Sequence, residues 1–230
     1  MKIAIFSDVH GNLEALKAVL SDIKSKNVDR VVCLGDLVGY GPFPNEVIDI
    51  VRNENILNII GNYDTAVVNN DIKYIQDNPL NREFALPWSV KEVSEANKKY
   101  LKRLPQDIII VEHGKVIKFV HGSTRAVNEY LLEDSKEANE VMIELKEDVL
   151  VCGHTHLPYV KEYENKILIN DGSVGKSKIG TPNITYIILD IEDEVKAEIV
   201  EVPYNYEETV KAMEERKFPQ ELIDNIKYGK

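Results

Sequence analysis

Five short apolar segments of the sequence each run directly into a glycine-containing turn that carries an aspartate, an asparagine or a histidine. Segments of this length, rich in valine and isoleucine, predict buried β-strands. In open α/β sheets ligands bind at the carboxyl ends of the strands, and glycine lets the chain turn sharply there. The turns therefore predict one polar site, with the candidate residues Asp8, His10, Asp36, Asn62, His121, His154 and His156.

The residue types in these turns indicate a metal site. One such turn alone is more typical of a structural role, but buried carboxylates and imidazoles carry a desolvation cost unless something pairs them. A mixture of carboxylate, amide oxygen and imidazole suits Mn, Fe, Zn or Co. It lacks the thiolates of a structural zinc site and is too rich in nitrogen for calcium. The remaining histidine, His113, falls in a predicted hairpin turn, and we expect it to be exposed and without a role.

The first third of the chain alternates predicted strands and helices. Strands are predicted at 2–7, 30–34 and 56–60, with helices at 12–26 and 45–52 between them. This order predicts parallel strands joined by helical crossovers.

The rest of the chain predicts a different arrangement. Residues 65–104 are expected to form a mainly helical insert, with a helix over 90–104 and a possible role as a cap over the site. Because little helix separates the later strands, we expect the second half to be antiparallel. The whole of 1–230 is expected to be a single domain. Its later elements are a hairpin at 107–120, a helix at 135–146, strands at 148–152, 166–170, 184–190 and 195–201, and a helical tail at 206–230, broken at Pro219 and covering an end of the sheet.

Composition excludes several classes of function. A formal net charge of −11 argues against a nucleic-acid groove, which needs a basic face. No apolar run approaches the roughly 18 residues of a membrane span, and the first residues resemble no signal peptide, so we expect a cytoplasmic protein without a membrane partner. Cys33 and Cys152 lie in apolar runs without a CxxC pair, which favours two buried free thiols over a disulfide and suits a reducing compartment.

The order of the turns resembles a known family. They read DVH, GD, GNYD, HG and GHTH across residues 8–156, and the calcineurin-like metallophosphoesterase superfamily has D-x-H, G-D, G-N-H-[DE], H-G and G-H-x-H in that order. The segment GDLVGYGPFPNEV and the tail after Val202 share a narrower resemblance with a bacterial and archaeal branch related to diadenosine tetraphosphatases. The family resemblance implies an α/β fold, a sandwich of two mixed β-sheets flanked by α-helices.

The resemblance also implies an activity. It is that of a metal-dependent phosphoesterase acting on a small phosphorylated substrate, a phosphodiester or a nucleotide. Two divalent ions, manganese first and Fe, Zn, Ni, Co or Mg as alternatives, would hold a bridging hydroxide for in-line attack on phosphorus. Matching the motifs assigns Asp8, His10 and His156 to the first ion, Asn62, His121 and His154 to the second, and Asp36 to both.

The chain departs from the family on the leaving-group side. Tyr63 replaces a histidine that protonates the leaving group or contacts the phosphate, and Gly39 replaces an aspartate that partners this histidine in some relatives. A tyrosine with a pKa near ~10 is a poor general acid at neutral pH. We therefore expect substrates whose leaving groups need little protonation, such as nucleotides, polyphosphates or aryl esters, unless Tyr63 only packs over the site. Candidate catalytic residues are Tyr63, Asp64 and Arg125, of which Arg125 suits either a bidentate phosphate contact or a surface ion pair.

Softer candidates surround this set. Ser7 is expected to orient a metal ligand by a hydrogen bond, and Lys176 to add positive charge. Trp88 and Phe84 are either platforms for a base or core residues.

A second function class is an interaction module without activity, as in a retromer coat subunit that has this fold but lacks the family histidine. The complete set of seven ligand residues favours the enzyme. A zinc hydrolase of the metallo-β-lactamase type lacks support because its HxHxDH motif is absent. Homodimerisation is expected only by analogy of fold.

Overall fold

Two five-stranded β-sheets pack against each other in the computed structural model, which describes residues 1–230. The strands of the first sheet are β1 (Lys2–Phe6), β2 (Arg30–Cys33), β3 (Leu57–Asn58), β9 (Ile184–Ile191) and β10 (Val195–Val202). Their order across the sheet is β10-β9-β1-β2-β3. The three strands β1, β2 and β3 are parallel, as predicted, whereas β9 runs antiparallel to β1.

The second sheet corrects the expectation of an antiparallel second half. Its strands are β4 (Asp107–Glu112), β5 (Lys115–Val120), β6 (Val149–Cys152), β7 (Tyr159–Tyr163) and β8 (Lys166–Asn170), in the order β4-β5-β6-β8-β7. The central pairs β5-β6 and β6-β8 are parallel, and only the two edge pairs are antiparallel. A helix between β5 and β6, and the unpredicted strand β7 between β6 and β8, act as the crossovers that parallel pairing requires.

The core of the sandwich follows from alternation along the strands. In β1, Ile3 and Ile5 belong to the cluster shared by the two sheets, whereas Ala4 and Phe6 belong to the cluster beneath the helices. Successive side chains of a strand point to opposite faces, so a strand buried on both faces reads as a continuous apolar run. This explains the apolar runs of the site-forming strands, and the two mixed sheets with flanking helices confirm the predicted sandwich.

Eight helices surround the sheets. The predicted helix over 90–104 is wrong as a single element, because Val93 is extended and the Ser94 side chain accepts a hydrogen bond from Asn97 N and so caps a new helix. The insert also contains a 3₁₀ turn at Ile72–Tyr74 and a π-helical turn at Asn81–Ala85. The helices are α1 (Leu13–Ser25), α2 (Pro44–Asn53), α3 (Asn62–Asn69), α4 (Leu86–Glu92), α5 (Glu95–Leu101), α6 (Lys136–Glu144), α7 (Tyr206–Glu215) and α8 (Gln220–Tyr228).

The tail packs on helices, and its expected role of covering an end of the sheet stays a prediction. Helices α7 and α8 form an apolar cluster around Met213 and Phe218 that also takes in Phe84 and Trp88 of the insert. The Phe218 ring meets the Phe84 and Trp88 rings edge to face, at centroid distances of 4.9 and 4.7 Å. Phe84 and Trp88 are therefore core residues here and do not line the site.

Two smaller expectations from the sequence have clear outcomes. Cys33 and Cys152 are buried free thiols, as predicted. His113 lies exposed in the β4–β5 hairpin turn. In addition, none of the helices has the length and apolar character needed to cross a bilayer.

We predict that Phe218→Ala lowers the free energy of unfolding by about 3 kcal/mol, because it removes a buried aromatic ring from the contact between tail and insert. Urea denaturation measures this effect. The matched control is Tyr228→Ala on the same tail, whose side chain is 53% exposed and whose loss should change stability by less than about 0.5 kcal/mol. Equal effects of the two substitutions would contradict the packing described for the tail.

Candidate metal centre

The seven predicted side chains converge on one point between the two sheets. Asp8 and His10 follow β1, Asp36 follows β2, and Asn62 begins α3 after β3. The second sheet supplies the histidines that follow β5 and β6. All seven are buried, with at most 7% of the residue exposed. We call this set the candidate metal centre: Asp8, His10, Asp36, Asn62, His121, His154 and His156.

The backbone of the candidate metal centre is strained. Five of its residues adopt a left-handed conformation, with φ between 48° and 65°. This conformation is uncommon outside glycine, although Asp and His tolerate it better than most residues. Each such residue costs of order 1–3 kcal/mol and persists only where the surroundings enforce it, which is characteristic of functional sites. The five residues are Asp8, His10, Asp36, His154 and His156.

Backbone carbonyls orient three of the imidazoles. His10 Nδ1 lies 2.9 Å from Val38 O, and His121 Nδ1 lies 2.8 Å from Leu34 O. His156 Nδ1 makes the same kind of contact with a backbone carbonyl. A carbonyl oxygen only accepts, so each Nδ1 must carry a proton and donate it. In the neutral imidazole this leaves Nε2 with a free lone pair, which is the arrangement of a metal-binding histidine.

Those free nitrogens face other acceptors. His10 Nε2 lies 3.2 Å from His156 Nε2, and His156 Nε2 lies 3.1 Å from Asp8 Oδ1. His121 Nε2 lies 2.8 Å from Asn62 Oδ1, and the Asn62 amide nitrogen already donates to Tyr74 O. Lone pairs that oppose each other at these distances repel unless a cation or a proton lies between them.

Each of the two carboxylates is held through one of its two oxygens, which accepts a backbone hydrogen bond. Asp8 Oδ2 accepts from His154 N at 2.9 Å, and Asp36 Oδ1 accepts from Tyr63 N at 2.7 Å. Gly61 permits the second contact, because a Cβ there would lie 2.0 Å from Asp36 Oδ1. The other oxygens point to the histidines: Asp36 Oδ2 is 3.5 Å from His121 Nε2 and 3.8 Å from His10 Nε2. Asp36 thus lies between the two groups of imidazoles.

The electrostatics of the centre favour a cation. Burial raises the pKa of Asp8, but the neighbouring His156 and His121 outweigh it and hold this pKa well below its usual range. Burial lowers the pKa of His121, yet the carboxylates of Asp36 and Asp8 outweigh it and raise this pKa to about 10. Burial, reinforced by the charge on His121, lowers the pKa of His154 to about 3. One protonated imidazole therefore faces two carboxylates, and a metal ion would displace that proton.

Two buried atoms of the centre lack any hydrogen-bond partner. They are Asp8 Oδ1 and His154 Nε2. Unpaired buried polar atoms are rare in native proteins and require an explanation. Ligation of a cation satisfies both atoms, so the donor set fits divalent metal ions. The two groups of three whose ligand atoms all lie within 4.8 Å of one another are Asp8, His10 and His156, and Asp8, Asp36 and His121.

The centre opens into a pocket of about 480 Å³. Two of its lining residues, Lys176 and Lys178, carry the only cationic side chains on its wall apart from histidine. The opposite side is aromatic and amide-rich. Outside the candidate metal centre, the lining residues that the sequence pointed to are Tyr63 and Lys176. Tyr40, Tyr130 and Lys178 were missed because they lie in irregular segments with no periodic signal. The lining residues are His10, Asp36, Tyr40, Asn62, Tyr63, Tyr74, Ile75, Gln76, Asn128, Tyr130, His154, His156, Lys176 and Lys178.

Asp64 and Arg125 do not lie where a catalytic role would place them. Asp64 Oδ1 accepts from Leu37 N at 2.9 Å, and its Oδ2 accepts from Gly61 N at 3.1 Å. These hydrogen bonds hold the Asp64 carboxyl group behind the pocket. They connect the Asp36 loop to the start of α3. Asp64 is therefore a positioning residue. Burial, reinforced by the charge on Asp36, raises its pKa to about 7.

Arg125 is held in a surface ion pair. Its Nη1 lies 3.0 Å from Glu140 Oε2, and its Nε donates to Glu129 at 3.1 Å. It does not line the pocket. The sequence left two interpretations of Arg125 open, and its position agrees with the surface ion pair. Two carboxylates already bind the guanidinium group that a phosphate would need.

Tyr63 lines the pocket, and its hydroxyl is engaged by the insert. The hydroxyl donates to Asn81 Oδ1 in the π-helical turn of the insert. Burial raises the pKa of Tyr63 well above its usual range, and the neighbouring Tyr40 raises it further. The ring occupies space that Gly39 leaves free, since a Cβ at Gly39 would lie 3.0 Å from Tyr63 Cδ1 and 2.8 Å from His10 Nδ1. The two departures from the family, at positions 39 and 63, are thus parts of one packing arrangement.

A buried hydrogen-bond chain supports Asp8 from behind. Ser7 Oγ bonds to Asp8 Oδ2 and lies 2.7 Å from Asp171 Oδ1. A serine hydroxyl has one proton and can donate to only one of the two carboxyls. Burial, reinforced by the charge on Asp8, raises the pKa of Asp171 well above its usual range. Asp171 is therefore the protonated carboxyl and donates to the Ser7 hydroxyl. Ser7 is then free to donate to Asp8, which is the orienting contact expected of Ser7.

Comparison with known proteins identifies the family. The sequence profile of the calcineurin-like phosphoesterase superfamily domain matches residues 1–194. The chain therefore belongs to the calcineurin-like phosphoesterase superfamily, as its motifs predict. This is a family of phosphoesterases that use divalent metals, and the candidate metal centre supplies suitable ligands.

Individual relatives agree with this assignment. The chain is 34% identical to the uncharacterized protein MJ0912 of Methanocaldococcus jannaschii, over 99% of this chain and 98% of that protein. It is 29% identical to the phosphodiesterase MJ0936 of the same organism, over 87% of this chain and 99% of that protein. Among solved structures, a metallophosphoesterase from Sphaerobacter thermophilus is similar with a TM-score of 0.82 and 30% identity, over 98% of each chain.

We predict that Asp171→Asn lowers the free energy of unfolding by less than about 1 kcal/mol, because an amide N–H can replace the carboxyl proton that bonds Ser7. Asp171→Ala removes this bond and should cost about 2–3 kcal/mol. Urea denaturation of both variants measures the difference. If the asparagine variant is as unstable as the alanine variant, Asp171 is ionised and the proposed direction of the chain is wrong.

Proposed function

We propose that the protein is a phosphoesterase that binds two divalent metal ions at the candidate metal centre and hydrolyses a small phosphodiester or nucleotide. The observation that carries this proposal is the opposition of hydrogen-bond acceptors at the centre. His10 Nε2 faces His156 Nε2, and Asp8 Oδ1 and His154 Nε2 have no hydrogen-bond partner. Bound cations would relieve this opposition, and the family to which the chain belongs acts on phosphate esters.

The proposed ligand sets divide the centre into two halves. One half uses the imidazoles whose Nε2 atoms lie nearest Asp8, and the other uses Asn62 and the unpaired nitrogen of His154. Asp36 lies between them and is the proposed bridge. Manganese is the preferred metal, with Fe, Zn, Ni, Co and Mg as alternatives, because the donors mix carboxylate and amide oxygens with imidazole nitrogens. The first ion takes Asp8, His10 and His156, and the second takes Asn62, His121 and His154.

The protein's own residues perform the positioning. When bound, the two ions supply charge that neutralises phosphate oxygens and lowers the pKa of the attacking water. The carbonyls of Val38 and Leu34 fix the imidazoles of His10 and His121. Asp64 keeps the Asp36 loop against α3. Because these groups are buried and already oriented, little reorganisation accompanies the reaction.

We predict that Asp36→Asn lowers kcat/KM for bis(4-nitrophenyl) phosphate by about 10²–10³, since it removes the charge of the proposed bridge but keeps its shape. The assay uses protein loaded with Mn²⁺, and the metal content of each variant is measured by mass spectrometry. Asp193→Asn in an exposed turn is the matched control and should leave both quantities unchanged. Wild-type activity in Asp36→Asn would contradict the proposal. A wild-type protein that binds no metal and shows no turnover would instead support the interaction module.

The second proposal concerns the leaving group. Tyr63 donates a hydrogen bond to Asn81 and forms a wall of the pocket. Tyr63 therefore does not act as the general acid that is worth about 10²–10⁴ in rate to other enzymes, and the enzyme favours substrates whose leaving groups need little protonation.

We predict that Tyr63→His raises kcat on alkyl phosphodiesters by about tenfold and leaves aryl phosphodiesters nearly unchanged, because only the alkyl leaving group needs a proton. Steady-state rates on matched alkyl and aryl substrates measure this. Tyr63→Phe keeps the ring without the hydroxyl and should behave like the wild type on both. An equal effect of Tyr63→His on the two classes would count against the proposal.

A further inference from the structure

Three of the four sheet edges carry features that prevent pairing with another chain. An edge strand presents unpaired backbone groups, and charged side chains or a very short strand protect it. Strand β10 exposes charged side chains, among them Lys196 and Glu198, and β7 carries Lys161 and Glu162. Strand β3 has only two residues. Strand β4, at the fourth edge, is six residues long and has no charged residue along its centre.

The centre of β4 is apolar on its exposed face. Ile109 and Val111 are 51% and 64% exposed. Ile108 and Ile110 point to the opposite face, where they pack against the cluster shared by the two sheets. Segments that combine β-branched residues with low charge pair readily with other strands when they lie at an edge. The exposed face of β4 therefore requires a partner or carries a risk of aggregation.

The backbone groups of Ile109 and Val111 point away from the sheet. Val116 lies opposite Val111 across the β4–β5 hairpin. Its N–H donates to Asp148 Oδ2 at 2.7 Å, and its C=O accepts from Asp148 N at 2.9 Å, both on the side away from β4. Residues 111 and 116 are therefore a pair without mutual hydrogen bonds, and such pairs alternate with bonded ones along an antiparallel ladder. Ile109, two residues away, is in the same position, so both residues present an N–H and a C=O at the edge.

We propose that β4 pairs with β4 of a second copy of this chain, antiparallel about a two-fold axis, so that the second sheet continues from one copy into the other. A strand that pairs with itself in this way forms a closed, isologous interface. It uses the apolar edge of both copies, and association stops at the dimer. This inference does not depend on the proposed function.

The side chains of β4 are complementary to themselves in one register. When Ile110 lies opposite Ile110 of the second copy, each Ile109 lies opposite Val111 of the other copy, and their outward N–H and C=O groups pair. Asp107 then lies opposite His113 of the second copy, which can donate a hydrogen bond to the carboxylate. A register that pairs Ile109 with its own copy would instead place the Asp107 carboxylate opposite Val111. The first register therefore covers both exposed apolar side chains with apolar side chains.

The first test is the oligomeric state of the full chain by sedimentation velocity. One strand pair is a small interface, so we expect a dimer with a Kd of about 1–100 μM. Val111→Lys should raise this Kd by at least about tenfold, because it places a charge opposite an apolar side chain at the edge. Ile199→Lys, on the edge strand β10 and 41% exposed in the wild type, is the matched control and should leave the Kd unchanged. Melting temperatures verify that both variants are folded.

The second test measures the register by disulfide cross-linking. Opposite residues in a pair without mutual hydrogen bonds have Cα atoms about 4.5 Å apart, which a disulfide can bridge. Ile110→Cys should therefore cross-link to its own copy under mild oxidation. Ile109→Cys is the control and should not, because its own copy is out of register. The native thiols of Cys33 and Cys152 are buried.

Three outcomes would overturn the proposal. The first is a wild type that stays monomeric up to about 1 mM, which would leave β4 to a strand of a different protein. The second is a dimer that Val111→Lys leaves intact, and the third is a dimer that Ile199→Lys weakens equally. Cross-linking at position 109 in place of position 110 would overturn the register. Sedimentation requires no substrate, so these results are separate from any failure of the hydrolase function.

Discussion

The repulsion between buried acceptors at the candidate metal centre is the constraint on which the rest of the structure depends. Two imidazoles each donate from one ring nitrogen to a backbone carbonyl, and their other ring nitrogens lie 3.2 Å apart. The neighbouring carboxylates add negative charge. Asp8 Oδ1 and His154 Nε2 remain without a hydrogen-bond partner. Bound cations would relieve this unfavourable interaction.

The fold supplies the rigidity that this arrangement needs. Five strand ends meet between the sheets, and the apolar residues that precede them are buried on both faces. Five left-handed residues hold their backbone positions because Asp64 and the carbonyls of Leu34 and Val38 tie the loops together. The cost of strained backbone, of order 1–3 kcal/mol per residue, is offset by the packing of the strands that carry these turns.

Local signals in the sequence were sufficient for the elements that build the centre. Apolar runs followed by polar turns predicted β1, β2, β5 and β6, and the motif order predicted the family. Non-local features were not accessible in this way. The direction of β8 depends on the edge strand β7. The break between α4 and α5 depends on the capping residue Ser94, whose backbone N–H donates to the Asn45 side chain. The positions of Asp64 and Arg125 likewise depend on partners that only the tertiary structure supplies.

The two sides of the centre have different chemistry. In the proposed mechanism the attacking water lies on the side that holds the ligand set, whereas the leaving-group side has a packed tyrosine in place of the family histidine and two lysines nearby. A centre of this kind suits a leaving group that departs as an anion.

The most direct test of the central claim is the anomalous scattering of crystals grown with Mn²⁺. The account predicts two peaks roughly 3.5–4 Å apart, one against Asp8, His10 and His156 and the other against Asn62, His121 and His154, with Asp36 between them. A map without peaks at these side chains, or with a single peak that leaves His154 Nε2 unpaired, would contradict it.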